Sequence, residues 1–320
     1  GYGQLGDGTT TARLTPVDVV GLEGATYSIS GRVTTGNGTG VTGVTIGDHV
    51  GHTTVSNTNG DYTLAGLSQG TYTITPSRSG YTFCPVSQLV VVSASVFGKN
   101  FTGYQATHRL GFCPTPNGYS FSNSDSGWGT YPSNANDFGQ TEMIRMFGRD
   151  AVCTAAAGGA CTMRPAAEQW QDVWNRDMNG GHCDGFTTTG LRFFRGLDNP
   201  GTFQGGATSA HDLSLVNARR HIAYYWILQV PNPVAQARAD ALDSTPSEVL
   251  DLLRNAMSGG STDPTTLLVY NSSGTSGHSV TPFAIQDRGN GVAWVWVYDN
   301  NHPDDGNRHV VIDATSNTWS

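Results

Sequence analysis

Three short stretches of this chain carry residues whose types and spacing suit nucleophilic chemistry. The first is Asn179-Gly-Gly-His-Cys-Asp-Gly-Phe186, where two glycines lead into a histidine and a cysteine. Beyond it Cys183, Phe186, Gly190 and Phe193 recur at helical spacing, and Gly196 is a stop signal. Cys183 is therefore predicted at a helix N-terminus, where unpaired backbone N–H groups and the helix dipole favour thiolate over thiol. A thiolate attacks carbonyl carbon. A lone cysteine there also suits a structural use, as a small apolar residue packing the helix start.

A cysteine nucleophile needs a base, and the base needs an orienting acceptor. Of nine histidines, His278 has the best context, in Ser276-Gly-His-Ser-Val-Thr-Pro-Phe-Ala-Ile285, with glycine before it and a strand after it. The third stretch, Val292-Ala-Trp-Val-Trp-Val-Tyr298, runs out into Asp299, Asn300 and Asn301. A carboxylate or amide at the end of a neighbouring strand can hold imidazole in one tautomer. Asp299 shares the face of Val295 and Val297, and Trp294, Trp296 and Tyr298 take the other; period 2 leaves open which face is inward. His182 is read as shaping its loop rather than as a second base.

Five cysteines are an odd count. Cys153 and Cys161 flank a flexible loop that a local disulfide would close, and Cys84 and Cys113 are the others besides Cys183. Two disulfides and one thiol is the simplest partition for an oxidising compartment. Only 13% of residues are charged, glycine reaches 42 of 320 residues, and there are 12 tyrosines and 7 tryptophans. This composition suits an extracellular or cell-surface protein. The net charge of -8 argues against nucleic acid as a partner. No run approaches the roughly 18 apolar residues of a membrane span. No metal site is expected, since zinc would want a C-x-x-C pair. The loop from Asp299 to Asn307 is dense in oxygen ligands but fails the EF-hand spacing, so calcium stands there as a secondary reading beside a plain acidic turn.

The elements that must position these residues follow from pattern. Residues 25–103 alternate in short runs (27–33, 44–46, 61–64, 71–75 and 89–92) separated by turn signals such as Asn57-Thr-Asn-Gly60, which predicts an all-β sandwich. From residue 104 the pattern changes. Residues 165–178 have proline at the first turn and Ala166, Trp170, Val173 and Trp174 on one face. Helices are also predicted from Cys183, over 211–229, and from a capping box at Thr245-Pro-Ser-Glu248 to Gly259. Strands at 266–270, 279–285, 292–298 and 309–313 follow. Helices first and an antiparallel sheet afterwards make an α+β domain.

Three resemblances refine this division. Residues 1–24, beginning Gly-Tyr-Gly-Gln-Leu-Gly-Asp-Gly-Thr-Thr, resemble one repeat of the regulator-of-chromosome-condensation propeller. A single repeat cannot bury its own face, so it reads as a remnant cut from a longer precursor. The phrases Ser30-Gly-Arg-Val33, Asn59-Gly-Asp-Tyr-Thr-Leu-Ala-Gly-Leu67 and Gly70-Thr-Tyr-Thr-Ile-Thr-Pro76 resemble the carboxypeptidase-regulatory-like family of Ig-like domains, which implies a spacer or surface stalk over 25–103. From Tyr104 to Ser320 the order of Cys on a helix, His on a strand and Asp or Asn on the next strand resembles papain-like cysteine peptidases. It is most similar to the bacterial extracellular branch with Gly-Gly-His-Cys-x-Gly.

The peptidase resemblance implies a secreted or surface enzyme that hydrolyses polypeptide through Cys183, His278 and Asp299, with Asn300 as the alternative third member. Asp299 matches the aspartate of the bacteriocin-processing group, and Asn300 the asparagine of plant-type papains. The family's glutamine, six residues before the cysteine, is here Asp177. Asn175 is then the first choice of oxyanion donor, with Gln171 and Asn179 as alternatives. Two other readings compete: a transglutaminase-type acyl transferase, and a surface or filament subunit using the papain-like domain as a scaffold. Residues 13–20 are expected to lie extended on a sheet of the Ig-like domain or of a neighbouring molecule, the latter giving self-association.

Overall fold

The computed structural model describes residues 24–132, 137–154, 159–258, 265–271, 273, 276–303 and 305–320. The propeller-like segment, and with it the expected pairing of residues 13–20, lies outside the described residues. The described chain divides into two compact units, the first holding residues 24–34, Thr39–Arg78 and Ser87–Phe101.

Eight strands come first: β1 (Tyr27–Thr34), β2 (Thr45–Gly47), β3 (Thr53–Val55), β4 (Asp61–Leu67), β5 (Gly70–Ser77), β6 (Tyr81–Cys84), β7 (Gln88–Val92) and β8 (Phe101–Gln105). In the first unit β1 pairs antiparallel with β4, and β3-β2-β5-β7 form an antiparallel sheet. Alternation drives burial. In β4, Tyr62 and Leu64 point inward while Asp61 and Thr63 face water. They join Ile29, Val33, Ile46, Ile74, Val90 and Val92 in a buried core, the filling of a β-sandwich. The Asn57 turn closes as its sequence suggests: Asn57 Oδ1 accepts from the N–H groups of Asn59 and Asp61, each at 2.9 Å. Gly60 at φ 84° completes it, and a Cβ there would run into the Val33 carbonyl.

β6 and all but the first residue of β8 cluster with the second unit. There, among the described residues, β9 (His108–Arg109) precedes eight α-helices: α1 (Pro114–Asn117), α2 (Gln140–Phe147), α3 (Arg149–Val152), α4 (Pro165–Asp177), α5 (Cys183–Phe194), α6 (Leu215–Ile227), α7 (Val234–Leu242) and α8 (Pro246–Met257). β10 (Leu267–Tyr270), β11 (Gly277–Gly289), β12 (Val292–Tyr298), β13 (His309–Asp313) and β14 (Thr318–Trp319) then form an antiparallel sheet in chain order, with β9 on β11. A β-sandwich is thus followed by a mixed region of helices and sheet.

Helix bounds follow local chemistry. The Thr245–Glu248 capping box starts α8 as expected. α6 begins only after Ser214, because Ala210–Asp212 is spent on a separate 3-10 turn capped by Ser209. Both faces of β12 are buried. Val295 and Val297 pack with Leu250, Leu253 and Met257 of α8, whereas Trp296 and Tyr298 pack with Phe112 and with Leu191 of α5. Two disulfides, Cys84–Cys113 and Cys153–Cys161, are present, and Cys183 stays unpaired, as the cysteine count suggested. Among the described residues no helix is long and apolar enough to cross a membrane.

Candidate active site

Cys183 is the first residue of α5, with His182 at the N-cap. Its backbone N–H therefore has no acceptor within the helix, and the positive end of the helix dipole lies at its sulfur. The helix is set by its neighbours. A Cβ on Gly185 would run into the Ile222 carbonyl of α6, so the last glycine of Gly-Gly-His-Cys-x-Gly is where α6 crosses the first turn of α5.

The sheet reaches the same turn. Thr187 and Ser279 share a hydroxyl hydrogen bond of 2.9 Å. The Asn300 amide donates to the Ser279 carbonyl at 2.8 Å and, more weakly, to the Cys183 carbonyl at 3.4 Å. His278, one residue before Ser279, and Asp299, one before Asn300, are thereby held at the start of α5. The His278 Nε2 is 2.8 Å from Asp299 Oδ1, which also accepts the Asn301 N–H at 2.9 Å. Cys183 lies close enough to His278 to act on its protonation, and with Nε2 turned to Asp299 the Nδ1 side of the ring is left for other partners. The structure thus brings together Cys183, His278 and Asp299. Asn300 is fully buried behind them, bonded to backbone and not to the imidazole.

The electrostatics follow from these contacts. Burial works to lower the His278 pKa, but hydrogen bonds to Asp299 and Cys183 and the charges on both outweigh it and raise it from 6.5 to about 9. Burial works to raise that of Asp299, but the His278 hydrogen bond, the Asn301 N–H and nearby histidine charge hold it below the usual carboxylate value. His182 is the opposite case. It is 2% exposed and stacks on Trp128 with ring centroids 3.9 Å apart. Burial, helped by the Arg219 charge, pushes its pKa down to about 3. A neutral, stacked ring matches its reading as a loop-shaping residue.

The three amides expected to serve the oxyanion each have a hydrogen-bond partner in the chain. Asn175 is fully buried, and its amide donates to the Phe138 carbonyl at 3.0 Å; Gln171 donates to the same carbonyl at 2.8 Å. Asn179 Oδ1 accepts the Tyr131 N–H at 2.8 Å. These amides fasten α4 and the segment after it to Phe138 and Tyr131. In the calcium loop, Asp299 is committed to His278 and Asp305 pairs with Arg308 at 2.9 Å. No grouping of three potential ligands occurs among the described residues. Asp304 lies outside them.

Sequence reasoning passed over three contributors. Asn123 Oδ1 accepts the His182 N–H at 2.6 Å while its amide donates to Asn301 Oδ1 at 3.0 Å, bridging the residue before Cys183 to the residue two after Asp299. Asp184 is ion-paired at 3.0 Å with Arg238 of α7, which also donates to the Tyr270 hydroxyl at 3.0 Å. Trp128 supplies the plane on which His182 rests. Asn123 sits in a turn-rich arm with no periodicity to mark it, and Arg238 carries no motif. Both ties are set by tertiary packing alone.

One family model matches the first part of the chain. A carboxypeptidase regulatory-like domain matches residues 28–102. A chitinase of Flavobacterium johnsoniae is 38% identical over 96 residues, 29% of this chain and only 6% of that protein. Among solved structures, a streptococcal ancillary pilin matches at 14% identity with a TM-score of 0.22, covering 26% of this chain and 34% of its own. A type II cohesin–X-dockerin complex from Acetivibrio cellulolyticus matches at 16% identity and a TM-score of 0.21, covering 32% and 79%. At those scores the likeness says nothing of architecture. The sandwich, its turn chemistry and the match agree: residues 28–102 are a carboxypeptidase regulatory-like domain of Ig-like type.

Proposed function

We propose that residues 104–320 are a papain-like cysteine peptidase domain, carried behind the Ig-like domain in an extracellular or cell-surface protein, and that it hydrolyses polypeptide. The observation that carries this is His278, bonded through Nε2 to Asp299 and lying beside the unpaired thiol at the start of a helix. An imidazole with a pKa of about 9 is protonated at neutral pH. Beside it, the Cys183 sulfur is the nucleophile. The Cys183 sulfur attacks the scissile carbonyl, and the oxyanion that forms is stabilised by the Cys183 N–H at the helix N-terminus. His278 gives its Nδ1 proton to the leaving amine. The resulting thioester is opened by a water that His278 deprotonates, restoring the imidazolium. Asp299 holds the ring in place and stabilises its charge throughout. Two disulfides and the chitinase likeness support the compartment.

The test is labelling of Cys183 by an epoxide thiol inhibitor together with hydrolysis of fluorescent casein. Both are expected in the native chain, and neither in Cys183→Ala. Incorporation of an amine into a glutamine peptide without casein hydrolysis would reassign the chain to acyl transfer. A chain that neither labels nor turns over would be a scaffold subunit.

A further inference from the structure

Away from Cys183, the second unit holds a cavity of about 520 Å³, within the roughly 300–1,000 Å³ range of ligand pockets. Its walls come from both ends of the sheet. Leu267 and Val269 of β10 stand on one side, Ile312 of β13 and Trp319 of β14 on the other, with Leu242 of α7 and Val249 of α8 between them. Two of these apolar side chains reach water: Leu242 is 58% exposed and Trp319 45%. All four residues of β10 line the cavity. Among the described strands β10 pairs only with β11, so its other edge presents backbone N–H and C=O groups along roughly 13 Å of groove.

Two further observations say what fits. The cavity shares Ser244 with an acidic face formed by Asp240, Asp243, Glu248 and Asp251. Of these four carboxylates, Asp251 alone has an ion pair among the described residues, with Arg254 at 3.2 Å. The far end of β10 leads to the candidate active site, with Val269 opposite His278 and Tyr270 opposite Gly277. An apolar trough, a strand edge unpaired among the described residues and three carboxylates without an ion pair among them complement an extended chain with apolar residues beside basic ones.

We propose that this groove docks an extended polypeptide segment in which apolar residues adjoin Lys or Arg. The segment adds to the edge of β10, its apolar side chains fill the cavity, and its basic side chains meet Asp240 and Asp243. Resting on the peptidase reading of Cys183, this makes the groove a recruiting site for substrate, remote from the scissile bond and continuous with it through β10.

Fluorescence anisotropy on the full chain carrying Cys183→Ala tests this without turnover. The probe is a labelled peptide with Leu-Val-Leu followed by Lys-Arg-Lys, and its control replaces the apolar triad by Ser-Gly-Ser. The probe is expected to bind at least about tenfold more tightly than the control. Leu242→Ser with Trp319→Ala, or Asp240→Lys with Asp243→Lys, should each weaken it at least about tenfold. All four side chains are on the surface rather than in the hydrophobic core. In the Cys183-intact chain these variants should raise KM for substrates extended by the docking segment, with kcat unchanged, and leave a short fluorogenic peptide unaffected. Equal affinity for probe and control, or affinity indifferent to both double variants, overturns the proposal. Probe binding without any hydrolysis by the intact chain would sink the peptidase reading and leave the groove standing; hydrolysis of the short peptide without probe binding does the reverse.

Discussion

Replacing Asp299 by Asn is the perturbation that bears hardest on the mechanism. A His278 pKa raised from 6.5 to about 9 corresponds to about 3 kcal/mol of preference for imidazolium at 1.36 kcal/mol per pH unit, net of the burial that opposes it. That preference is shared between Asp299, 2.8 Å from Nε2, and Cys183. If about half is lost with the carboxylate charge, the alkaline limb of kcat/KM should fall by about one pH unit from near 9. Some turnover should survive, since an amide oxygen still accepts from Nε2 while failing to stabilise the charge. The assay is kcat/KM for a fluorogenic peptide amide across pH, with the rate of Cys183 alkylation by iodoacetamide alongside it as a direct measure of thiolate. Stability moves in the same sense. A raised histidine pKa contributes stability that is whole below pH 6.5 and is lost as pH climbs through about 9. The fall in Tm over that window should therefore be smaller in the variant. An alkaline limb unmoved by Asp299→Asn would refute the assignment. Unchanged activity in that variant with loss in Asn300→Ala would transfer the third role to Asn300.

Asn300→Ala should cost about 1–3 kcal/mol in denaturant unfolding, because the buried Ser279 carbonyl loses its donor, and it should lower kcat with the His278 pH profile kept. Gly185→Ala should cost about 2–3 kcal/mol, since its Cβ collides with α6 backbone; wild-type stability there would mean that the α5–α6 crossing is misread. Alkylation under non-reducing, denaturing conditions should modify one cysteine per chain, Cys183, as read by mass spectrometry. Cys84→Ala with Cys113→Ala opens a bridge of sequence separation 29, with a chain-entropy cost of about 3.6 kcal/mol, and should lower Tm without abolishing labelling of Cys183.

What the sequence revealed depended on whether a signal was local. The α5 start was legible because glycines, a cysteine and a helical apolar stripe fall within fifteen residues, and the structure begins the helix at Cys183. The β12 strand was legible from its alternation, yet which of its faces is inward has no single answer, since α8 covers one and Phe112 with α5 the other. Short strands escaped: β3 is three residues of Thr-Thr-Val and β14 only two, too few to show a period. α7 escaped because its Val-Ala-Gln-Ala-Arg-Ala-Asp-Ala-Leu run has no buried residue and hence no apolar face to read. The partners of the α4 amides were not legible. There the amides of Asn175 and Gln171 serve the Phe138 carbonyl, a partner 33 or more residues away that no spacing rule could supply.

The first turn of α5 is where the physical demands on the second unit converge, and the kind of contact differs on each side. Backbone approach is met by a glycine, Gly185, under α6. The sheet is tied by neutral hydrogen bonds, Thr187 to Ser279 and Asn300 to two carbonyls, which orient without adding charge. The charged tie, Asp184 to Arg238, is made by the next residue along and pulled toward β10 through Tyr270. Beside Cys183 this leaves two histidines with opposite fates. His182 is stripped of its proton by burial against Trp128 and by the Arg219 charge, and His278 is kept protonated by Asp299 and the thiol. Stacked and buried, His182 is in no position to exchange protons with solvent. On the proposed mechanism, positive charge beside the sulfur is thus confined to the ring held by Asp299, which is also the one that would pass its proton to a leaving group.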